Sequence, residues 1–375
     1  MPRATVTPSE PSTNIPMNSP RPSAVDTGRT QAVFDSRYQR RHTTRPIATI
    51  AATAVIRLTR PIRGAAACVA APGAAAVAAA VAAPHRIAAS RIPPPPMTSI
   101  LDKIIARKRV EVEKAKVTTS IDLLKERVAE SSRPRNFFAA VVSEGPRRQT
   151  RVIAEVKHRS PSAGTISNDF DPVRIARSYH EAGAAAISCL TDERDFGGHL
   201  GYIARIRNAV PLPVLRKDFI VDQYQVWESR AAGADAILLI AEALEEGRIL
   251  DMMILARELN MTTLVEAHDP ERLLTIRQHI GFPHAGYSLL GINNRNLQTM
   301  ETDIAHTFRM LEFIEDRKVV VSESGITSAG DLARLRQRGV NIVLVGEHLL
   351  RQPDPGQALR ELIGGRPRPD TSTDG

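Results

Sequence analysis

Eight short apolar runs, at residues 152–157, 186–190, 213–217, 236–240, 262–266, 288–293, 318–323 and 341–345, recur through the second half of the chain. Stretches with helical spacing, such as 173–182, 223–232 and 328–338, lie between them. Strands that alternate with helices imply parallel pairing, because each helix carries the chain back to the edge where the next strand starts. Eight such strands close a barrel, so the pattern predicts an α/β fold of the (β/α)8 TIM barrel type. A doubly wound open sheet is the competing architecture, but no Gly-rich dinucleotide fingerprint follows the first run.

Two further helices precede the barrel as an N-terminal extension. Ser99 can cap a helix through Ile100, Leu101, Ile104, Ile105 and Val110, and a second helix follows through Leu123, Leu124 and Val128. Residues 97–363 are therefore expected to form the barrel domain. Residues 364–375 are polar and Pro-containing and are expected to be a flexible tail.

Residues 1–96 have a different composition. They contain no lysine, twelve arginines and only Glu10, Asp26 and Asp35 as acids, a balance of +9 that equals the formal charge of the whole chain. The basic character thus belongs to the leader and is no argument that the barrel binds nucleic acid or an anionic membrane. Ala-rich sequence from Ala65 to Ala83 and the run Pro93–Pro96 lack the apolar period needed to bury a core, so the leader is expected to be disordered. Its Arg-rich, acid-poor character fits an organellar transit peptide, and a translation start at Met97 accounts for it as well. The start-site reading implies a cytoplasmic protein, the transit-peptide reading an organellar one. Pro72 and the flanking arginines argue against a membrane span. With only Cys68 and Cys189 in the chain, no disulfide framework is expected.

Polar residues at the strand ends carry the functional reading. Barrel enzymes keep their chemistry at the carboxyl ends of the strands. These positions hold Glu155 and Lys157, Thr191 and Asp192, Lys217 and Asp218, Glu266, Asn293 and Arg295, Glu323 and Ser324, and Gly346. A two-residue period aims Glu155 and Lys157 to one face. Taken singly, each has a structural explanation: Glu155 with Lys217 as an ion pair, Asn293 as a loop cap, Glu323 as a buried acid. Carboxylates and ammoniums on alternate strands of one rim outweigh those explanations, because such a gathering of charge is costly without a purpose. Two inward-facing lysines suggest an anionic substrate. Ser324–Gly325 after the seventh strand and Gly346–Glu347 before the short run His348–Leu350 stand where barrels bind phosphate with loop amides. Glycine there lets backbone N–H groups reach the oxyanion, although either glycine could merely close a turn.

Several motifs in order resemble one family: Ile100-Leu101-Asp102-Lys103-Ile104, Glu155-Val156-Lys157 leading to Ser160-Pro161-Ser162, Leu190-Thr191-Asp192 with Phe196-Gly197-Gly198, Leu215-Arg216-Lys217-Asp218-Phe219, Gly291-Ile292-Asn293-Asn294-Arg295-Asn296-Leu297, and Ser322-Glu323-Ser324-Gly325-Ile326. Over about residues 98–363 the chain resembles indole-3-glycerol phosphate synthase. The resemblance implies a cofactor-free, metal-free ring closure of 1-(2-carboxyphenylamino)-1-deoxyribulose 5-phosphate, with loss of CO2 and then of water. It implies Lys217 as the acid at the ribulose carbonyl, with its pKa lowered by burial or a neighbouring cation and with Glu155 orienting it. Glu266 would manage the dehydration, sharing proton duties with Lys157 and Lys217. Lys157, Arg295 and Ser160 would hold the anionic groups, Phe219 and Phe196 would wall the aromatic ring, and Asn293, Glu323 and Ser324 would contact the sugar. Gly325, Gly346 and Glu347 would serve the phosphate through their backbone amides. Asp195 departs from the family pattern, standing where an aromatic commonly precedes Phe196, which puts the apolar lid role of that loop in question.

Two other readings compete. Phosphoribosylanthranilate isomerase and the tryptophan synthase α chain are also phosphate-binding barrels, but the set Lys157, Lys217 and Glu266 is not expected in them. A nucleic-acid or membrane role through the leader would show salt-sensitive binding, yet few aromatics interleave with its arginines. The expected partner is a small phosphorylated molecule, with no nucleic acid and no membrane, and with a monomer or weak homo-oligomer as the assembly.

Overall fold

The computed structural model describes residues 99–142, 149–161, 163–167, 169–296 and 301–364. The expectations for the leader, for Ser162 and Leu297, and for the tail beyond Gly364 lie outside the described residues. Two helices, α1 (Ile100–Thr118) and α2 (Ile121–Glu130), and the short α3 (Phe137–Val141) precede the barrel. Ser99 caps α1 as its sequence suggests: its Oγ accepts from Asp102 N at 3.1 Å, and the Asp102 carboxylate accepts from Ser99 N.

Eight strands follow: β1 (Arg151–Val156), β2 (Ala186–Leu190), β3 (Val214–Lys217), β4 (Ala236–Ile240), β5 (Thr262–Ala267), β6 (Ser288–Asn293), β7 (Val320–Glu323) and β8 (Ile342–Val345). Each pairs in parallel with its sequence neighbours, and β1 pairs with β8, so the barrel closes. The expected run 318–323 begins two residues late, because Arg317–Val319 forms a 3-10 turn held by the Asp316 side chain, which accepts from Lys318 N. Lys157 lies one residue past β1 rather than in it, yet keeps the inward phase of Ile153 and Glu155.

The two-residue period divides every strand between two cores. Ile153, Leu215, Leu238, Leu264, Leu289, Val321, Ile342 and Leu344 fill the barrel interior, with Phe137 and Val141 of α3 joining that interior cluster. Val152, Ile187, Val214, Ile237, Leu239, Val265, Leu290, Val320 and Val343 face the surrounding helices instead. This division moves every inward side chain at a strand's carboxyl end into one space.

Three residues named on the rim by sequence face the other way. Thr191, Asp192 and Asp218 are buried in a charge network between the barrel and α1: Thr191 and Asp218, each one residue past its strand, fall in the outward phase, and Asp192 caps the turn Glu193–Phe196, where the strand alternation has ended. Lys108 Nζ of α1 lies 2.9 Å from both Asp192 and Asp218, Arg107 pairs with Asp192 and Asp195, and Arg216 reaches Asp218 and Glu228. Asp195, the departure from the family pattern, thus ties the loop after β2 to α1 by charge. Burial alone would raise the pKa of Asp218, but Arg216 and Lys108 outweigh it and hold the group below the usual carboxylate range. Its stabilising contribution is therefore complete above the unfolded-state pKa of ~4 and is lost as pH falls through the lower folded-state value. Asp218→Asn, which leaves two buried cations short of a partner, is expected to cost about 3–5 kcal/mol in chemical denaturation at pH 7. The difference from the parent should shrink only in acid.

Candidate active site

A cavity of about 380 Å³ opens at the carboxyl ends of the strands, and the interior phase of the barrel supplies its floor. Four charged residues come from the odd strands: Glu155 of β1, Lys217 of β3, Glu266 of β5 and Glu323 of β7. Barrel interiors stack in layers of four side chains taken from alternate strands, and these four form such a layer above an apolar one. Two glycines make room for it. A Cβ at Gly291 of β6 would run into Glu323 Oε1, and one at Gly346, just past β8, would run into the Glu155 carboxylate. Gly346 must be bare to admit Glu155, a reason the sequence alone does not reveal.

Lys217 Nζ lies 3.1 Å from Glu266 Oε2 and 3.5 Å from Glu323 Oε2. Lys157 Nζ donates to Glu155 Oε1 at 2.6 Å. The expected pairing of Glu155 with Lys217 is thus corrected: Lys157 takes Glu155, being two residues on in the same strand phase, and Lys217 reaches across the barrel. Asn293 Nδ2 donates to Glu266 Oε1 at 3.0 Å, while its Oδ1 accepts from Arg295 N at 3.0 Å, so one amide orders both a carboxylate and the loop after β6.

The charge states follow from this arrangement. Burial alone would lower the pKa of Lys217, but Glu266, Glu323 and Glu155 outweigh it and raise it above the ordinary lysine value. This overturns the expectation of a lowered lysine pKa, since the nearest groups to the ammonium are carboxylates and not cations. Burial pushes Glu266 up, and Lys217, His268 and the hydrogen bond from Asn293 bring it below the ordinary value. Glu323 goes the other way: burial and the neighbouring Glu266 charge raise it well above the carboxylate range despite Lys217. Among the described residues neither Glu323 oxygen has a hydrogen-bond partner. The layer therefore sets Lys217, held toward its ammonium, and Glu266, held toward its carboxylate, beside a Glu323 biased toward its protonated form. Glu155 is raised by burial but lowered on balance by Lys157 and Lys217, and it stays ionised.

The cavity has an apolar side and a polar end. Phe196 and Phe219 meet with ring centroids 5.9 Å apart, and Ile100, Leu101 and Ile104 of α1 line the same cavity. Ser160, in a two-stranded hairpin with Gly164–Thr165, also lines it. At the polar end, Ser324 and Gly325 both adopt positive φ, 66° and 74°, which turns the chain sharply after β7. Glu347 does not point at an anion with its carboxylate: Oε2 lies 3.2 Å from Arg295 and Oε1 accepts from Arg351. All fourteen residues given a catalytic, substrate-binding or phosphate-binding role line this one cavity.

Sequence reading misses the contribution of α1 and the residue His268. A signal for His268 exists, since it follows Glu266 by two residues and so shares its phase. Nothing in the sequence marks Glu242, which holds His268. Cys189 of β2, by contrast, is a small buried residue of the barrel wall, its thiol pushed up to about 12 by burial.

The fold and site define a (β/α)8 barrel with a lysine–carboxylate layer at the mouth and glycine turns after β7 and β8, an arrangement suited to acid–base chemistry on an anionic compound. A family model described as indole-3-glycerol phosphate synthase matches residues 101–362, and the chain belongs to that family. Relatives named indole-3-glycerol phosphate synthase include one from Acidithiobacillus ferrooxidans, 46% identical over 270 residues, covering 71% of this chain and 99% of the relative. One from Rhodopirellula baltica is 43% identical over 265 residues with 71% and 99% coverage, and one from Neisseria gonorrhoeae is 45% identical over 267 residues with 71% and 100%.

Proposed function

We propose that this chain converts 1-(2-carboxyphenylamino)-1-deoxyribulose 5-phosphate to indole-3-glycerol phosphate, CO2 and water, with Lys217 as the acid of ring closure. Membership in the family makes it a carboxy-lyase of tryptophan biosynthesis. The observation that carries the assignment of roles is the Lys217 ammonium, fixed between Glu266 and Glu323 at the floor of the cavity.

In the first step the ring carbon that bears the carboxylate attacks the ribulose carbonyl carbon. The C–C bond forms, and the carbonyl oxygen takes the proton of Lys217. An oxygen acquiring alkoxide character is more basic than any ammonium, so a lysine with a raised pKa still delivers its proton, and the buried charge stabilises the oxyanion as it develops. Electrons from the breaking bond to the carboxylate restore the aromatic ring as CO2 leaves. The new hydroxyl then departs as water, taking a proton from an acid, while the neighbouring carbon gives up a proton. Glu266 is suited to receive that proton because it is ionised and held at both oxygens.

The remaining roles follow from location. Lys157, Arg295 and Ser160 bind the anionic groups of the substrate, and Phe196 and Phe219 cover the anthranilate ring. Asn293, Ser324 and Glu323 meet the sugar hydroxyls, and the amides of Gly325, Gly346 and Glu347 take the phosphate. A near-attack pose requires the two anionic ends to be held apart, and the cavity offers polar groups at both. A cytoplasmic location and a monomer or weak homo-oligomer belong to the same proposal. Among the described residues no helix is long and apolar enough to cross a membrane.

The test is to add the ribulose phosphate to the full chain and follow indole fluorescence. We expect product to accumulate with release of one CO2 per turnover. A folded chain that leaves the compound unchanged would overturn the assignment.

A further inference from the structure

Beyond the layer of four, one more pair of side chains converges on Glu266. His268 follows β5, and its Nε2 lies 3.4 Å from Glu266 Oε1. Its Nδ1 lies 3.2 Å from Glu242 Oε2 in the 3-10 turn Ala241–Ala243 after β4. Glu242 Oε1 also accepts from His268 N at 2.7 Å and from Asp269 N at 3.3 Å. One carboxylate thus grips both the ring and the backbone of His268 and fixes which way the imidazole faces. The ring lines the cavity, and its Nε2 is buried with no hydrogen-bond partner among the described residues.

We infer that Glu242 and His268 form a positioning dyad for Glu266, with Glu242 holding the imidazole so that its Nε2 side faces Oε1 and leaves Oε2 to Lys217. The inference rests on the role proposed above for Glu266. With Glu242 on Nδ1, that nitrogen carries a proton. A neutral ring would then turn an Nε2 lone pair toward an ionised carboxylate, whereas an imidazolium turns an N–H toward it. The charged groups facing the ring all bear on this balance: Glu242, Glu266 and Asp269 favour the imidazolium, while Lys217 and His306 oppose it. Burial lowers the His268 pKa, but the hydrogen bond its ring donates to Glu242 and the charges of Glu266 and Glu242 raise it on balance. A cation beside Oε1 keeps Glu266 ionised and ready to accept a proton. Because no substrate contact is needed for this, His268 acts through Glu266.

The sign of the effect is fixed. Removing the imidazolium deprives Glu266 of a favourable charge, so its pKa rises and the acid limb of the kcat–pH profile moves to higher pH. In the full chain, His268→Gln is expected to lower kcat on the order of tenfold with KM little changed, and to move that limb upward. Glu242→Gln should move it the same way and less far. The double variant should do no more than His268→Gln alone, since the two residues act as a unit. Imidazole 15N resonances of the full chain, assigned by their loss in His268→Gln, give a readout independent of catalysis. The His268 titration should lie above that of a free histidine and should fall in Glu242→Gln. An active parent whose pH profile is unchanged in His268→Gln, effects that add in the double variant, or a His268 titration untouched by Glu242→Gln would each overturn the dyad. An inactive parent with the expected titration would instead overturn the functional reading and leave the pairing standing.

Discussion

Lys217→Ala is expected to lower kcat by about three orders of magnitude, the middle of the range for losing a positioned acid. The side chain does two jobs that no neighbour duplicates. In the proposed reaction it gives its proton to the ribulose oxygen, and it carries the positive charge that faces a floor of three carboxyl groups. Lys157 cannot substitute, because its ammonium is engaged by Glu155 at 2.6 Å. Lys217→Arg should not rescue the rate, since a guanidinium keeps the charge but does not give up a proton in the accessible pH range. Because the anionic ends of the substrate are assigned to other groups, KM should change far less than kcat. Single-turnover measurement of CO2 release separates the chemical step from product release. A variant within tenfold of the parent would remove Lys217 from its role. The raised pKa of Lys217 adds a corollary: in the kcat/KM profile of the parent, no alkaline limb in the neutral range belongs to this residue.

Glu266→Gln is expected to lower kcat by on the order of a hundredfold, and its pH dependence should be as informative as its rate. In the parent, Glu266 and Glu323 sit side by side and share the cost of charge unequally: Glu266 is biased toward its carboxylate and Glu323 toward its protonated form. Activity that depends on ionised Glu266 should therefore persist below the ordinary glutamate range before falling in acid. Substituting glutamine removes the negative neighbour that, after burial, contributes most to raising Glu323, so Glu323 becomes easier to ionise. The variant should lose the parent's acid limb and gain a different titration at the position of the remaining acid, visible by carboxyl 13C resonance. A parental profile in the variant would show that neither carboxyl governs the reaction. Since the two groups titrate as a pair, Glu323→Gln is needed beside Glu266→Gln before either titration is assigned to one residue.

The placement of these groups is legible in the amino-acid sequence. Strand parity depends only on counting by two, and it puts Glu155, Lys217, Glu266, Asn293 and Glu323 on the inward face wherever the strands run. What parity cannot report is the partner. Sequence pairs Lys217 with Glu155, whereas in the fold it meets Glu266 and Glu323, because barrel closure sets alternate strands across from one another. The sign of its pKa shift goes with the partner. Thr191 and Asp218 are the converse case: each stands one residue past its strand and falls in the other phase, and Asp192 joins them from the turn that follows β2. At Gly346 the sequence marks a necessary glycine without its full reason, since the collision it avoids is with a residue 191 positions earlier in the chain.

Counting along the chain is enough for the number and order of the strands, the helical extension, the inward face of Glu155, Lys217, Glu266, Asn293 and Glu323 and, through ordered motifs, the chemistry to expect. All of these are local or periodic properties. Tertiary structure alone decided which charges neighbour which, and hence which carboxyl keeps its proton, why α1 lines the cavity, and that Glu242 holds His268 against Glu266. Such facts depend on distances between residues far apart in the chain. Electrostatic energies vary steeply with those distances and with burial, and neither is written in any single segment.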